Sequence, residues 1–335
     1  MTTEPRPPIG IVGLGNMGAA VAHLITQHDR DVIGWEYDPA VVAEVNQRHT
    51  NERFLPGVPL SPRLRATRDV HEVFRGASIV FIALPSRFIQ PTLGPVCAAG
   101  GVSPDTIVVN MAKGIDAATG LTAFQTVSAL FPRNPCVMLS GPSIANEFAR
   151  GEPTVVVLAG QSLTHLTQVA QVLDSRHFRT RFSHDTMGVE LGGVLKNIYA
   201  IGLGLFDGLN VGSVNFRAAY LTIALEEMTL LGVAMGARAE TFAYLAGLGD
   251  LLATSMSEHS HNRRLGELLS QGLSLEQIQA QMGVLPEGYN TLRVALNLAE
   301  KLHVNLSLAH GLWSVICGRY TAQQFIYSFI RNFVD

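Results

Sequence analysis

"IGIVGLGNMG", residues 9–18, is a short apolar run, three spaced glycines and the opening of a helical pattern. The run has the length and β-branched content of a buried strand. Gly13 permits the tight turn that follows, Gly15 lets backbone N–H groups approach a pyrophosphate, and Gly18 lets helix and strand pack closely. A lone G-x-G-x-x-G is a weak signal, but here it ends the first strand and opens a helix, as a dinucleotide cradle requires. The second apolar run ends in "GWEYDP". Glu36 lies about 20 residues beyond the glycines, where an acid would accept from the adenine ribose 2′-OH. That favours NAD as the cofactor, with NADP the alternative. Two other readings stay open: Glu36 as a solvated turn residue, and Asp38 as either the true acid or a helix cap.

Outward from this loop, the first half alternates short apolar runs with helical segments. Strands are predicted over residues 9–12, 31–35, 78–84, 106–111, 136–140 and 154–159. Each is continuous rather than alternating in polarity, as expected of strands covered on both faces. They imply an α/β, Rossmann-like, doubly wound and mostly parallel sheet. Beyond about residue 186 the strand signals stop. Helices are predicted over 186–206, 214–231, 263–270, 275–281, 289–302, 308–317 and 322–330, giving an all-α C-terminal domain. The expected division is residues 1–185 for the dinucleotide domain and 186–335 for a helical substrate and catalytic domain, with the ligand cleft between them.

Composition narrows the function class. The 335 residues suit about two domains. The net charge of −3, with arginines scattered along the chain, argues against a nucleic-acid partner. Cys97, Cys136 and Cys317 are odd in number and far apart, and they read as core thiols of a reducing compartment. No signal peptide pattern and no uninterrupted membrane-length apolar run is visible, so membrane insertion is not expected and the cytoplasm is the expected setting. No metal site is expected; the histidines of "EHSHN" lack a convincing set of partners.

The second decisive stretch is "ELGGVLKNIYAIGLGLFD", residues 190–207, where Lys196 is the only charge between Glu190 and Asp207. An ammonium removed from water is costly without partners. The chain has only three lysines, Lys113, Lys196 and Lys301, among 24 basic residues. Lysine differs from arginine where a proton must be given up near neutral pH.

Several segments together identify a resemblance: "ALPS" (residues 83–86), "AKG" (112–114), "SGPSIANEFARGEPTVV", "ELGGVLKNIYAIGLGLFDGL", "NFRAA", "LAGLGDLLAT", "HNRRLGE" and "LPEGYNT". In this order the chain resembles the NAD(P)-dependent glycerol-3-phosphate dehydrogenases of the bacterial type, over nearly its whole length. The resemblance implies reduction of dihydroxyacetone phosphate to sn-glycerol 3-phosphate, for phospholipid synthesis. It implies Lys196 as the proton donor, Lys113 as a second active-site lysine that meets both cofactor and substrate, and Asp250 as the group orienting the ammonium. Gly141, Ser143, Ser260, His261 and Asn262 fall on substrate-contacting positions. Gly13, Gly15, Asn16, Met17, Gly18, Glu36, Tyr37, Pro85, Ala145, His261, Leu285 and Glu287 fall on the cofactor side. Gly192 and Gly193 would let substrate and backbone come close, and the helical half has enough apolar surface to support a homodimer.

Three positions depart from the family pattern. His261 stands where arginine usually precedes the asparagine. Arginine offers a planar, always-charged fork to phosphate, whereas histidine is ordinarily charged only near or below about pH 6.5. Weaker and pH-dependent phosphate binding, rescue by Arg263 or Arg264, and a different substrate all stay open. Ile223 replaces a usual arginine. Asn16-Met17 replaces a small polar residue and an aromatic, and "GLGNMG" is also similar to β-hydroxyacid dehydrogenases. The alternatives are therefore a related dehydrogenase of another small acid or phosphorylated alcohol, and a non-catalytic dinucleotide-binding protein.

Overall fold

The computed structural model describes residues 6–116, 119–257 and 260–331. Two compact units emerge: residues up to Lys113 with Leu121–Thr186, and Gly114–Gly120 with the chain from Met187 onward.

The first unit is built on one eight-stranded sheet. Its strands are β1 (Ile9–Val12), β2 (Val32–Trp35), β3 (Leu64–Thr67), β4 (Ile79–Ile82), β5 (Ile107–Asn110), β6 (Cys136–Ser140), β7 (Thr154–Ala159) and β8 (Phe178–Ser183). They lie in the order β3-β2-β1-β4-β5-β6-β7-β8. Every pairing is parallel except β6 with β7. The residues explain why the central strands are covered on both faces. Ile9 and Ile11, Ile79 and Phe81, and Ile107 and Val109 enter one apolar core, while Val12, Val80, Ile82 and Val108 enter a second core on the opposite face. Side chains alternate along a strand, so both sets must be apolar, and the run reads as continuous. Each fully buried side chain of this size contributes about 1.5–3 kcal/mol.

Two strands, β3 ("LRAT") and β8 ("FRTRFS"), were not expected. Both are the outermost strands, and Arg65, Arg179 and Arg181 are not buried. An edge strand tolerates, and is protected by, such charges. Their sequences therefore carry no continuous apolar run.

The second unit is helical among its described residues, apart from the isolated bridge at Ile115. It is organised around the 23-residue helix Thr186–Gly208, hereafter the lysine helix, which is buried on nearly all sides. Its most apolar window has a mean hydropathy of 1.3, so by length and composition it could cross a membrane, and 89% of that window is buried within the fold. Lys196 interrupts the apolar run without making the helix polar. Around it lie Val214–Ala234, His261–Ser270, Glu287–Lys301, Ser307–Ile316 and Ala322–Arg331. A short helix Ala239–Phe242, a π-helical turn Leu245–Gly249 and a helix Asp250–Met256 were not foreseen. The first two are too short to show a helical period. The third opens on the Asp250 of "LAGLGDLLAT".

Buried polar groups hold this unit in register. Glu227, on the Val214–Ala234 helix, accepts from the backbone N–H groups of Leu308 (2.6 Å) and Ala309 (3.0 Å) and from the Tyr199 hydroxyl (3.0 Å). It thereby caps the first turn of Ser307–Ile316 and fastens the lysine helix, one turn past Lys196, to two others. Burial pushes the Glu227 carboxyl above its ordinary range, against the pull of those donors. Tyr220 donates to the Tyr199 carbonyl at 2.8 Å.

Candidate active site

The glycine loop and the strand ends expected to meet the cofactor lie in the first unit and present mainly backbone. Gly15 is the N-cap of Asn16–Thr26 and supplies no side-chain acceptor to its first turn. Those N–H groups, at the positive end of the helix dipole, suit an anion such as a pyrophosphate. A Cβ at Gly18 would lie 1.8 Å from the Gly13 carbonyl oxygen, so the turn closes only around glycine. Asn16 turns its side-chain N–H groups to the Phe54 carbonyl (2.6 Å) and to Asn146 (2.9 Å). Asn51, fully buried, donates to the Leu14 carbonyl at 2.8 Å. The segment after the second helix thus braces the glycine loop, a long-range contact that no local motif announces. Met17 packs against the apolar core.

At the end of β2, Glu36 is 3% exposed and accepts from the backbone N–H of Tyr37 (2.9 Å) and of Asp38 (3.2 Å). The reading of Glu36 as a solvated turn residue is therefore wrong. Asp38 is the helix cap: it accepts from the Ala40 N–H at 2.9 Å and pairs with Arg53 at 2.8 Å. Tyr37 is exposed.

The strand ends on the other side of β1 carry the remaining candidates. Pro85 opens the short turn Ser86–Phe88 after β4. After β5, the fully buried Asn110 donates to the Ala112 carbonyl (3.0 Å) and accepts from its N–H (3.3 Å), fixing the backbone beside Lys113. After β6, Gly141 adopts a positive φ of 118°, and Ser143 donates to its carbonyl at 3.0 Å. Ala145 begins Ala145–Ala149 and is buried.

The second unit gathers side chains from far apart in sequence. Lys196 is 9% exposed, and its ammonium donates to the Asp250 carboxylate and, at 2.5 Å, to the Thr254 hydroxyl. Asp250 is itself buried. A buried cation is tolerable only with partners of this kind. Gly192, one turn before Lys196, does not face open space: a Cβ there would meet the Ala246 carbonyl oxygen at 2.4 Å. It serves the approach of the lysine helix to the turn preceding Asp250, which corrects the expectation that it makes room for substrate.

A second polar chain runs beside the first. Asn262 donates to the Asn197 side chain (3.1 Å) and accepts from the Gly288 N–H (3.0 Å), next to Glu287 at the start of its helix. Ser260 caps His261–Ser270 by accepting from the Arg263 N–H (3.3 Å), and His261 is exposed in the first turn. Leu285 packs against the apolar core. Residues 258 and 259, part of the histidine cluster, lie outside the described residues. Among the described residues no group of three or more His, Cys, Asp or Glu could hold a metal ion.

Rescue of the phosphate by neighbouring arginines finds no support in this geometry. Arg263 donates to the Asp207 carboxylate through Nε (2.8 Å) and Nη2 (2.6 Å), and through Nη1 to the carbonyls of Ser255 (3.0 Å) and Ser257 (2.6 Å). It is committed to joining three helix ends. Arg264 is exposed and pairs with Glu267 at 2.7 Å. Ile223 packs against the apolar core of the helical unit, where an arginine would need a partner.

An anion cradle on a Rossmann-like sheet, together with a helical unit holding a buried Lys–Asp pair, defines a dinucleotide-dependent oxidoreductase class. The comparisons name the family. The model of the NAD-dependent glycerol-3-phosphate dehydrogenase N-terminus matches residues 8–165 and that of its C-terminus residues 185–327. The chain is 38% identical over 310 residues to glycerol-3-phosphate dehydrogenase (NAD(P)+) of Carboxydothermus hydrogenoformans, covering 92% of this chain and 91% of the relative. It is 36% identical to the Citrifermentans bemidjiense enzyme of the same name, covering 94% of each. The crystal structure of glycerol-3-phosphate dehydrogenase from Coxiella burnetii superposes with a TM-score of 0.89 at 31% identity, covering 97% of this chain and 99% of that one. The chain belongs to the NAD-dependent glycerol-3-phosphate dehydrogenase family.

Proposed function

We propose that the chain is an NAD(P)-dependent sn-glycerol-3-phosphate dehydrogenase, an oxidoreductase that reduces dihydroxyacetone phosphate for phospholipid synthesis. The observation that carries the catalytic reading is the Lys196 ammonium held by the Asp250 carboxylate and the Thr254 hydroxyl. The glycine loop, Glu36 and the strand ends would hold a nicotinamide cofactor, which would supply the hydride. Negative charge then builds on the ketone oxygen. Lys196 stabilises that charge and donates the proton that completes the alcohol; in reverse, the neutral amine takes it back. Asp250 and Thr254 keep the Nζ oriented through both states. Lys113, on backbone fixed by Asn110, adds a second cation toward substrate and cofactor. Gly141, Ser143, Ser260, His261 and Asn262 take the substrate side, with His261 in place of the usual arginine. Ala145, Leu285 and Glu287 take the cofactor side.

We place the enzyme in the cytoplasm, acting on a small molecule. A homodimer is supported by the exposed apolar residues Val214, Leu230, Val233, Tyr327 and Ile330 of the helical unit. Sedimentation at micromolar concentration tests that assembly. The activity itself is tested by following NADH and NADPH oxidation when dihydroxyacetone phosphate is added. Absence of turnover with both cofactors between pH 6 and 8 would sink the reading.

A further inference from the structure

The curated relatives are described with both cofactors, NAD(P)+. Resting on the dehydrogenase reading above, we propose that this chain selects NADH over NADPH, and that two carboxylates at the end of β2 do so in different ways. Glu36 opposes a 2′-phosphate directly, and Asp38 withholds the guanidinium that could receive one.

Glu36 stands where a Rossmann-like unit meets the adenine ribose. Its position is not adjustable. The side chain is buried, one carboxylate oxygen takes two backbone N–H groups, and its own N–H donates to the Thr67 carbonyl at 3.0 Å. A ribose 2′-OH can donate to such an acceptor. A 2′-phosphate brings only acceptors and negative charge against that carboxylate, which its two backbone donors hold in place.

A site that takes the 2′-phosphate needs a free arginine nearby. Arg53 is the guanidinium tied to this corner, and it is engaged: its Nη1 pairs with Asp38 at 2.8 Å, and its planar group lies over the Phe54 ring, 5.0 Å from the centroid. The other Asp38 oxygen caps the Pro39–Arg48 helix. Asp38 is thus anchored to the backbone and holds Arg53 from a fixed point. Arg68, exposed one residue past β3, is the other arginine at the neighbouring strand end; its carbonyl accepts from the Trp35 indole at 3.1 Å.

The roles are separable by two nearly isosteric changes. Glu36→Gln removes the charge and keeps an oxygen for the Tyr37 and Asp38 N–H groups. Asp38→Asn keeps an oxygen for the helix cap and loses the ion pair to Arg53. Dissociation constants for NADH and NADPH are measured by titration calorimetry on the full chain, without substrate, and kcat/KM for both is measured with dihydroxyacetone phosphate. The wild type is expected to bind NADPH roughly 100-fold more weakly than NADH, since opposed like charges cost several kcal/mol. Glu36→Gln should reduce that ratio to about tenfold, Asp38→Asn alone should change it by less than about threefold, and the double variant should bring it near unity. Equal binding of the two cofactors by the wild type, as when Arg68 receives the phosphate, would overturn the proposal and leave the dehydrogenase reading intact. A ratio unmoved by Glu36→Gln would overturn the role of Glu36, and a double variant no better than Glu36→Gln would overturn that of Asp38. Binding of neither dinucleotide would defeat the dehydrogenase reading itself.

Discussion

The two units of this molecule build their sites by opposite means. In the first, a ten-residue motif leaves backbone N–H groups suited to an anion at a helix start, and side chains brace the loop from behind. In the second, the proposed proton donor Lys196 is a side chain, and its partners Asp250 and Thr254 lie 54 and 58 residues away. Binding a large, invariant cofactor can be entrusted to local geometry. Holding one ammonium for proton transfer needs converging helices, because only tertiary packing fixes a long side chain within a few tenths of an ångström.

That division predicts separable failures. The largest should come from Lys196→Arg, which keeps a cation beside Asp250 and removes the transferable proton. kcat is expected to fall about 10²–10⁴-fold while NADH affinity, read by calorimetry, stays unchanged. A loss of NADH affinity would break the contrast between the units. Next, Gly18→Ala should force the turn open against the Gly13 carbonyl, at a cost of about 1–3 kcal/mol, and weaken NADH binding about tenfold or more. If it lowers kcat at saturating NADH instead, the glycine loop does more than bind.

His261→Arg sharpens the helical side. KM for dihydroxyacetone phosphate should drop about tenfold, because arginine offers phosphate a planar fork of several donors where an imidazole edge offers one. An unchanged KM would show that position 261 does not meet the phosphate. The smallest effect concerns Tyr199. Burial foremost, and Glu227 beside it, raise its phenol well above 10. The unfolded chain then releases that proton first, so its stability contribution is complete below pH 10 and is lost as pH rises beyond it. Tyr199→Phe should cost about 1 kcal/mol at pH 7 and make the fall in urea midpoint between pH 9.5 and 11 shallower. An unchanged slope would show that other groups control alkaline unfolding.

Legibility in the sequence follows the same division. The six central strands and the glycine loop were readable because burial on both faces leaves a continuous apolar run. β3 and β8 were not, since edge strands carry Arg65, Arg179 and Arg181. The reversed direction of β7 left no local mark either, because strand pairing is decided by connections rather than by composition. Lys196 announced itself as a lone charge, and Asp250 through a family motif. Thr254 did not, because a threonine in "LLATSM" reads as an ordinary helix residue. Glu227 did not, because "EEM" reads as a solvated face, yet one of those carboxylates caps a distant helix. Asn51 and Asn146 stayed hidden for the same reason: each meets backbone or side chains that only the fold brings near, whereas Asn110 acts locally, on Ala112 two residues on.

The scarcity of lysine also has a practical side. Lys113, Lys196 and Lys301 are the chain's three lysine side chains, and their settings differ sharply: Lys301 is exposed at a helix end, Lys113 is half-buried, and Lys196 is enclosed and hydrogen-bonded. An amine-reactive reagent followed by peptide mass spectrometry therefore reads the proposed proton-donating nitrogen against a built-in reference. Slow acylation at Lys196 beside rapid acylation at Lys301 would report how tightly Asp250 and Thr254 hold that nitrogen, in unmodified protein and without substrate.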